Sequence, residues 1–384
     1  MPLKLIINGR MLSQCDVGIG AYTARLIEGL ARHAPSLDLI CMAPSTCNFT
    51  FPPGIQVLRQ PKTCLPKLLA DAAFDWSVDR TARRRFPHHF LLHPSPTPVA
   101  SRPNQTCVVV HDCIPVHYPI YLGKKIIRRL LSRRCDAVAR RCRLTLTVSD
   151  FSRQDIIRHL GVSPDHIRVV HHWLPPEYNP KTARQQAERV RKAYNLPPRF
   201  WLYVGGYDVR KNIEFLLQAY ALAKQRSPCP PLVLAGRIPP FGNETCCHTN
   251  ESLRALPLRE GQELMRPGFI AANDMPGLYA AAELLIYPSL YEGFGLPMLE
   301  AMGCGCPAIS ANNTSLPEVI KDNDYRFETQ DPESLIPLLA KAALTPLPLN
   351  PSFSIQAFSE KTAVTHVLSL LQEAASQTEL PARD

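Results

Sequence analysis

Short apolar runs alternate with helix-length segments along the chain, and they do so in two successive series. Strands that alternate with helices build parallel sheets, because a parallel crossover needs about a dozen residues and is usually a helix. In the first series the runs lie at residues 3–8, 37–43, 106–110 and 144–148. In the second series they lie at residues 200–204, 232–235, 284–287 and 308–310. The pattern predicts an α/β protein with two parallel sheets.

The length of the chain favours two domains, because 384 residues exceed what one hydrophobic core usually supports. Residues 181–198 are helix-prone and end in prolines, and we interpret them as the connection between the halves. We therefore predict a first domain over residues 1–174 and a second domain over residues 175–354.

A strand, a glycine loop and a helix open the chain. Gly18 and Gly20 end the loop, and residues 21–32 carry apolar side chains at helical spacing. This order is typical of nucleotide-binding α/β domains. A dinucleotide fingerprint would need a third glycine where Thr23 stands, so the glycine pair indicates NAD or FAD only weakly. A simple helix-entry turn explains the pair equally well.

Composition favours a globular protein with anionic partners. Hydrophobic residues make up 45% of the chain and charged residues 20%, which is ordinary globular usage and argues against disorder. The formal net charge of +10 favours phosphate groups, acidic lipid headgroups or nucleic acid, and charge alone does not choose among them.

Cysteine usage and the apolar segments indicate the compartment. The 13 cysteines are irregularly spaced, as in proteins of a reducing compartment, and they do not form paired motifs at zinc spacing, so we expect no metal site. No apolar core of signal length follows the N-terminus, and no apolar run reaches the roughly 18 residues of a membrane span. We therefore expect a cytoplasmic protein that at most lies on the membrane surface.

Two glutamates separated by seven residues carry the clearest chemical signal. Pro297 suits the first turn of a helix, which places Glu292 in the preceding loop and Glu300 one turn inside the helix. Backbone amides at a helix start attract phosphate or sugar oxygens. The amides in question belong to Gly293, Phe294, Gly295 and Leu296. A carboxylate within the helix can accept hydrogen bonds from a ribose diol.

This stretch resembles the Glu-x7-Glu motif of glycosyltransferase family 4, also called group 1. Other segments are similar to the same family: residues 273–283, residues 315–319, the turn Gly205-Gly206 with Arg210-Lys211-Asn212, residues 18–22, and His111-Asp112. The resemblance covers nearly the whole chain and is weakest over residues 48–105. It implies the GT-B fold, in which two Rossmann-like domains face a cleft. It also implies that a helix at residues 355–375 returns to the first, acceptor-side domain, which residues 355–384 then complete.

The resemblance implies roles for individual residues. Arg210 and Lys211 would lie at the donor diphosphate, and Glu300 at the ribose. Glu292 would lie at the transferred sugar, without acting as a nucleophile, and His111 would face the reacting centre. Arg210, Lys211, Glu292 and His111 are thus the predicted catalytic residues. The other predicted donor-binding residues are Gly18, Gly20, Gly206, Ile270, Gly293, Phe294, Gly295, Leu296 and Glu300.

The same resemblance bears on the reaction. Family members retain the anomeric configuration, and the expected course is front-face attack through an oxocarbenium-like state. Fixed cations stabilise the leaving nucleoside diphosphate without reorganisation, so we expect neither a metal ion nor another cofactor.

Three positions depart from the family pattern. Residues 171–174 read His-His-Trp-Leu where relatives usually carry Pro-Asn-Gly-Val, and Gly206 stands where relatives often carry Arg, Ser or Thr. Residues 324–327 replace a segment that is usually small and apolar. The domain-crossing turn and one phosphate contact are therefore expected to differ from those of the family.

A basic segment at residues 124–143 combines an apolar stripe at helical spacing with a densely cationic opposite face. Each basic residue near an anionic leaflet contributes on the order of 1 kcal/mol, so this segment is a candidate for peripheral contact with the inner face of the membrane. An ordinary core helix with a solvated basic face is the alternative. Nucleic acid is not expected as a partner, because no aromatic-interleaved basic motif or recognised binding module is present.

The Arg-Lys-Asn variant of the phosphate turn resembles mannosyl- and rhamnosyltransferases of bacterial polysaccharide synthesis. We therefore expect mannose transfer from GDP-mannose to a glycan or lipid-linked acceptor. A UDP-sugar-dependent transferase of the same family and a nucleotide-sugar 2-epimerase of GT-B fold are the enzymatic alternatives. A binding protein with a decayed site is a third alternative. Such a protein would have lost Glu292, Glu300, Lys211 or His111, and all four residues are present.

Overall fold

The computed structural model describes residues 3–15, 18–61, 64–122, 126–237 and 256–377. The chain divides into two compact units. The first unit comprises Met1–Trp173 and Phe358–Asp384, and the second comprises Leu174–Ala357. Each unit contains a parallel sheet, in agreement with the predicted α/β class.

The first unit contains a seven-stranded sheet within the described residues, and its strand order is β3-β2-β1-β4-β5-β6-β7. All of its strand pairs are parallel. The order reverses direction between β1 and β4, which makes this pair the topological switch point. The strands are β1 (Lys4–Asn8), β2 (Asp38–Pro44), β3 (Gln56–Gln60), β4 (Phe90–His93), β5 (Thr106–Val109), β6 (Leu144–Thr147) and β7 (Ile167–Val169).

Helices cover both faces of this sheet. The helices of this unit are α1 (Gly18–His33), α2 (Lys67–Arg85), α3 (Ile114–His117), α4 (Ile126–Arg141), α5 (Asp150–Leu160) and, from the chain end, α12 (Glu360–Ser376). Leu5 and Ile7 of β1 pack with residues of α1 and α12, whereas Ile6 packs with Val78 and Ala82 of α2. Successive strand residues face opposite sides of the sheet, so Leu5, Ile6 and Ile7 of β1 are all apolar instead of alternating with polar residues.

The second unit contains a six-stranded parallel sheet within the described residues, in the order β10-β9-β8-β11-β12-β13. Its switch point lies between β8 and β11. The strands are β8 (Trp201–Val204), β9 (Leu232–Ala235), β10 (Leu264–Gly268), β11 (Leu284–Tyr287), β12 (Ala308–Ala311) and β13 (Arg326–Phe327). The helices are α6 (Pro180–Ala193), α7 (Ile213–Arg226), α8 (Met275–Ala281), α9 (Leu296–Gly303), α10 (Leu316–Val319) and α11 (Ile336–Leu344).

Several elements differ from their sequence-based expectations. β4 lies in a proline-rich stretch to which no strand was assigned, because four consecutive buried residues outweigh the prolines around them. β10 (Leu264–Gly268) lies where no strand was predicted, and residues 238–255 before it lie outside the described residues. The last helix begins at Glu360, after a single 3-10 turn at Ile355–Phe358, instead of at residue 355.

No helix of the described residues is both long enough and apolar enough to cross a membrane.

Candidate active site

The loop after β11 and the start of α9 lie at the carboxyl edge of the second sheet. Gly293 and Phe294 are buried in the loop, and Gly295 has a φ of 108°, a left-handed conformation that favours glycine. α9 begins at Leu296 with Pro297 in its first turn, as expected. Glu292 therefore precedes the helix and Glu300 lies one turn inside it, in agreement with the prediction.

Lys211 is buried in an ion pair with Glu292. It ends the 3-10 turn Val209–Lys211 after β8, while Glu292 follows β11, so the pair spans the switch point of the second sheet. Lys211 Nζ donates to Glu292 Oε1 at 2.5 Å and to the Tyr287 hydroxyl at 2.8 Å. The Tyr287 hydroxyl in turn donates to Glu292 Oε1 at 3.1 Å. Ligands of open α/β sheets bind beyond the carboxyl ends of the strands at such a point.

Arg210 binds the other oxygen of the same carboxylate. Its NH1 lies 3.0 Å from Glu292 Oε2 and donates to the Tyr291 carbonyl at 3.1 Å. The Arg210 carbonyl accepts from the backbone amide of Leu290 at 2.7 Å. The backbone and the side chain of Arg210 thus both connect the turn after β8 with the loop after β11. The structure brings together three of the four predicted catalytic residues.

Charge pairing determines the ionisation of this group. Burial by itself raises the pKa of Glu292, but the positive charges of Lys211 and Arg210 outweigh it and lower the pKa to about 2. Burial lowers the pKa of Lys211, and the Glu292 charge partly offsets this. Lys211 and Arg210 place two cations beside the Glu292 carboxylate, and the nearby Asp208 carboxylate also acts on Lys211.

The pH dependence of stability reports on this carboxylate. Its folded pKa of about 2 lies below the ordinary value of 4.5, so its contribution is present above pH 4.5 and is lost as the pH falls toward 2. We expect Glu292→Gln to remove about 3 kcal/mol of the pH dependence of the unfolding free energy in that window. Denaturant unfolding measured across the window checks this. Glu188→Gln, at an exposed pair, is the control, and an equal change in both variants would contradict the assignment.

The predicted ribose ligand Glu300 is buried on α9. Its Oε2 accepts a hydrogen bond from the Tyr279 hydroxyl of α8 at 3.1 Å. This hydrogen bond from Tyr279 holds the Glu300 carboxylate in one rotamer before any ligand binds. Ile270 is buried just beyond β10, at the same edge of the sheet, and its donor contact stays a prediction.

The segment after β12 holds the loop that carries Glu292. Ser315 is buried and donates its hydroxyl to the Glu292 carbonyl at 2.9 Å. The Glu292 amide donates to Thr314 Oγ1 at 3.3 Å. Thr314 and Ser315 thus hold the backbone of Glu292 at both its amide and its carbonyl.

Glycines allow the strand ends β8 and β9 to approach closely. A Cβ on Gly236 would lie 1.9 Å from the Gly205 carbonyl oxygen, a contact that no side chain can adopt. The Tyr203 hydroxyl donates to the Gly206 carbonyl at 2.6 Å and so fixes the next residue of the turn. Sequence analysis identified Gly205 and Gly206 but missed Gly236, since its role appears only when two strands meet.

His111 lies in the first unit, just beyond β5. Its Nε2 is 3.0 Å from the Pro94 carbonyl, which can only accept, so Nε2 carries the hydrogen. Burial lowers the pKa of His111 to about 4, and the ring is neutral at pH 7. The ring stacks on His172 at 5.9 Å and meets the edge of Tyr22 at 4.8 Å. The role predicted for His111 at the reacting centre stays a prediction.

Gly18 and Gly20 occupy the first turn of α1, not a loop before it. A Cβ on Gly20 would lie 2.0 Å from the Gln14 carbonyl, so glycine is required where the helix start packs against the preceding turn. Gly18 has a φ of 53° and open space around it. The structure explains Gly20 by packing, and the donor contact predicted for both glycines stays a prediction.

Residues 171–173 of the atypical segment belong to the first unit, whereas Leu174 belongs to the second. Trp173 is buried among residues of β1, α1 and α12, and His172 packs against Tyr22. Large rings here replace the usual small turn residues because they fill space beside α1.

A buried polar network at the first sheet's switch point was missed by sequence analysis. Asn8, at the end of β1, donates to Asp75 Oδ1 at 2.7 Å, and its amide lies 3.0 Å from His93 Nδ1 at the end of β4. Arg10 Nε lies 3.2 Å from the same Asp75 oxygen. Burial lowers the pKa of His93 to about 3, so Arg10 carries the positive charge that balances Asp75. Its members are scattered in sequence, and only the parallel pairing of β1 with β4 brings them together.

Metal-ligating side chains approach one another elsewhere in the first unit. His117 Nε2 lies 2.8 Å from Asp155 Oδ2, and His159 Nε2 lies 3.3 Å from Asp155 Oδ1. Together the three could hold a cation. They already pair with one another, and they belong to a different unit from Lys211 and Glu292. The metal-independent chemistry predicted for the donor site does not involve them.

The fold is that of a known class. A crystal structure of Anabaena Alr3699/HepE in complex with UDP and glucose is similar over 97% of this chain and 100% of that one. The TM-score is 0.71 and the sequence identity 18%, a likeness that shows the fold alone. With two parallel α/β sheets, the chain has the GT-B fold of glycosyltransferases, as the resemblance implied.

Two family models match consecutive parts of the chain. The model described as glycosyl transferases group 1 matches residues 184–357, and the model described as Glycosyltransferase Family 4 matches residues 17–178. The chain belongs to the family 4, or group 1, glycosyltransferases. The sequence-based assignment of the family is thereby confirmed.

Curated relatives match parts of the chain. O-antigen chain mannosyltransferase B of Escherichia coli is 38% identical over 196 residues, which cover 50% of this chain and 49% of that protein. A serotype-specific mannosyltransferase WbdA of Escherichia coli is 32% identical over 253 residues, which cover 64% of this chain and 30% of that protein. The match thus spans about half of the first relative and less than a third of the second.

Proposed function

We propose that this chain transfers mannose from GDP-mannose, with retention of configuration, to a glycan or lipid-linked acceptor in bacterial envelope polysaccharide synthesis. Membership of the glycosyltransferase family supports the reaction class. The similarity to mannosyltransferases of O-antigen synthesis supports the sugar and the setting.

The observation that carries the proposal is the cationic cluster at the second sheet's switch point. Lys211 and Arg210 come from the turn after β8, and Glu292 comes from the loop that leads into α9. Of the three N–H groups of the Lys211 ammonium, Tyr287 and Glu292 take two. We propose that the third donates to a diphosphate oxygen beside the start of α9, where the helix dipole also favours negative charge.

The cluster suits the departure of a nucleoside diphosphate. Negative charge grows on the leaving diphosphate as the glycosidic bond breaks, and the side chains of Arg210 and Lys211 are already fixed by Glu292. Preorganised cations stabilise such charge without reorganising in the transition state, and one such contact is worth about 10²- to 10³-fold in rate.

The pairing of Glu292 argues against a covalent intermediate on this residue. Its Oε1 accepts from Lys211 and Tyr287, and its Oε2 faces Arg210, so neither oxygen is poised as a nucleophile. In the proposed step the sugar–phosphate bond breaks and the acceptor oxygen attacks from the same face. The departing phosphate oxygen takes the acceptor's proton, and the products are the glycoside and GDP.

Two alternatives share much of this site. A UDP-sugar transferase would use the same diphosphate contacts with another base. A nucleotide-sugar 2-epimerase would release nucleoside diphosphate and an altered sugar without any acceptor. The nucleotide base that the enzyme prefers and the sugar that it releases therefore distinguish the mannosyltransferase from these two alternatives.

Incubation of the purified chain with single donors tests the proposal. We expect GDP release from GDP-mannose to exceed UDP release from UDP-glucose by about tenfold or more, with unaltered mannose as the sugar product. Added EDTA is expected to leave the rate unchanged, because side-chain cations balance the diphosphate. Lys224→Met, at a partly exposed ion pair of the same unit, is the control and keeps its activity. Preference for a UDP-sugar, or release of a different sugar, would refute the mannosyl assignment.

We also propose that α4 contacts an anionic membrane surface. Ile126, Ile127 and Leu130 are 75%, 44% and 54% exposed, so the apolar stripe lies outside the core over the first half of the helix. Only the second half packs inward, with Ala139 buried. Arginines flank the exposed apolar residues, which is the pattern of helices that lie in a membrane interface. Lys124 and Lys125, also part of the predicted segment, lie outside the described residues.

Vesicle co-sedimentation at low salt tests this contact. We expect binding to vesicles that contain phosphatidylglycerol and not to pure phosphatidylcholine, with at least a tenfold loss for Ile126→Glu/Leu130→Glu. Lys181→Glu/Arg184→Glu, on the basic helix α6, is the control and retains binding. Equal binding to neutral vesicles, or indifference to salt, would contradict the proposal.

A further inference from the structure

A cavity lies between α2 and α4 in the first unit. Its volume is ≈ 900 Å³. Trp76, Ser77, Arg80 and Arg83 line it from α2, and Arg134, Val138 and Arg141 line it from α4. Residues 98–101 and Pro103 also line it. None of these side chains belongs to the predicted donor site.

Four arginines give this cavity an uncompensated positive charge. Arg80, Arg83, Arg134 and Arg141 are exposed, and no ion pair or hydrogen bond holds their guanidinium groups within the part of the chain that the structure describes. The acidic residue in the lining, Asp79, is buried and already accepts from the Ser101 amide at 2.8 Å. Guanidinium groups that converge without partners are suited to phosphate, which they bind by two parallel hydrogen bonds.

Apolar side chains adjoin the charged ones. Trp76 is 53% exposed and lines the cavity, and Leu69 is exposed two turns earlier on the same helix. The exposed Ile126, Ile127 and Leu130 precede Arg134 on α4. A tryptophan beside aliphatic and cationic side chains is typical of a surface that meets both the headgroups and the acyl chains of a bilayer.

We propose that this cavity binds the phosphate or diphosphate headgroup of a membrane lipid. The inference rests on the proposed membrane contact of α4 and deepens it, since it assigns a binding site instead of a general electrostatic attraction. The adjoining apolar side chains favour a lipid over a soluble phosphate, because acyl chains would remove them from water. They also favour a lipid over nucleic acid, which binds along extended basic grooves with stacked bases.

The chain carries its own reporter of occupancy. Of its three tryptophans, Trp173 and Trp201 are 2% and 1% exposed, so solvent-sensitive emission comes from Trp76. We expect vesicles that contain phosphatidic acid to shift this emission to the blue. Brominated acyl chains in the same vesicles are expected to quench it. Neutral phosphatidylcholine vesicles should do neither.

Two double variants separate a binding site from surface charge. Arg80→Ala/Arg134→Ala removes two arginines of the lining, whereas Arg84→Ala/Arg133→Ala removes the same charge from exposed positions on the same helices, outside the lining. At moderate salt we expect the first variant to bind phosphatidic acid vesicles about 30-fold or more weakly. The second should stay within about threefold of the unchanged chain, because salt screens exposed charges. Circular dichroism and melting temperature confirm that both remain folded.

Three outcomes would overturn the inference. Equal loss of binding in both variants would mean that overall positive charge, and not the cavity, determines binding. Vesicle binding without any change in Trp76 emission would refute the cavity as the lipid site. It would leave the proposed membrane contact of α4 standing. A single-stranded oligonucleotide or inorganic diphosphate that shifts Trp76 emission with the same arginine dependence would replace the lipid by a soluble anion. The emission readout needs no turnover, so failure to find GDP-mannose activity would not affect it.

Discussion

Replacing Lys211 by methionine is expected to lower donor turnover by about 10²- to 10³-fold. It is also expected to lower the free energy of unfolding by about 3 kcal/mol. Lys211 is 7% exposed, and its ammonium binds Glu292 and Tyr287. Methionine keeps most of the volume, so the effects report on charge instead of packing. GDP release from GDP-mannose and denaturant unfolding measure the two effects separately.

The loss of stability has a specific physical cause. Removing one member of a buried pair leaves the other as a buried charge, and this costs more than the pair contributes. Arg210 alone then balances Glu292, and the pKa of Glu292 is expected to rise from its value of about 2.

A second substitution separates stability from catalysis. In Lys211→Met/Glu292→Gln the buried carboxylate is neutral, so we expect stability to recover by about half or more. Turnover should remain low, because the cation that faces the leaving diphosphate is still missing. If turnover recovered together with stability, Lys211 would have a structural role only.

An exposed ion pair of the same unit is the matched control. Arg199 Nε pairs with Glu283 Oε1 at 2.5 Å at the surface. Arg199→Met removes this pair, and we expect a change of less than about 1 kcal/mol with unaltered turnover. A loss comparable to that of Lys211→Met would mean that burial does not govern the effect.

Replacing Gly236 by alanine is expected to lower the unfolding free energy by about 2 kcal/mol and kcat/KM by about 100-fold. The added Cβ would lie 1.9 Å from the Gly205 carbonyl oxygen, so β8 and β9 must separate at their carboxyl ends. The turn that follows Gly205 carries Arg210 and Lys211, and displacement of this turn by about 1 Å misplaces both cations.

Gly206→Ala is the matched control for stability. Its Cβ would lie 2.9 Å from Asp208 Oδ2, the end of a flexible side chain that can rotate away. We therefore expect Gly206→Ala to change the free energy of unfolding by less than about 1 kcal/mol. Gly206 directly follows Gly205, the residue that the Cβ of an alanine at position 236 would meet. If both glycines tolerate alanine equally, the close approach of the two strand ends does not limit the site.

Secondary structure was predictable where the local pattern was strong. The glutamate motif placed Glu292 in a loop and Glu300 inside a helix because Pro297 fixes the backbone at the helix start and Gly295 permits the left-handed turn before it. β10 could not be predicted in this way, because its strand character comes from pairing with β9 and not from its own residues, which include a proline and a glycine. The family resemblance identified Arg210 and Lys211 as site residues but not the contacts that hold them.

The amino-acid sequence by itself determined the α/β class, the family and the residues that carry charge into the second unit's site, because strand and helix periodicity and the glutamate motif are local properties. Only the tertiary structure decided that Lys211 and Glu292 form a buried pair with Tyr287, and that Asn8 meets Asp75 and His93. These contacts join residues 67 to 85 positions apart, and the order of strands in a parallel sheet decides which of them meet. Local pattern carries no information about that order, since the same succession of strands and helices is compatible with several strand orders.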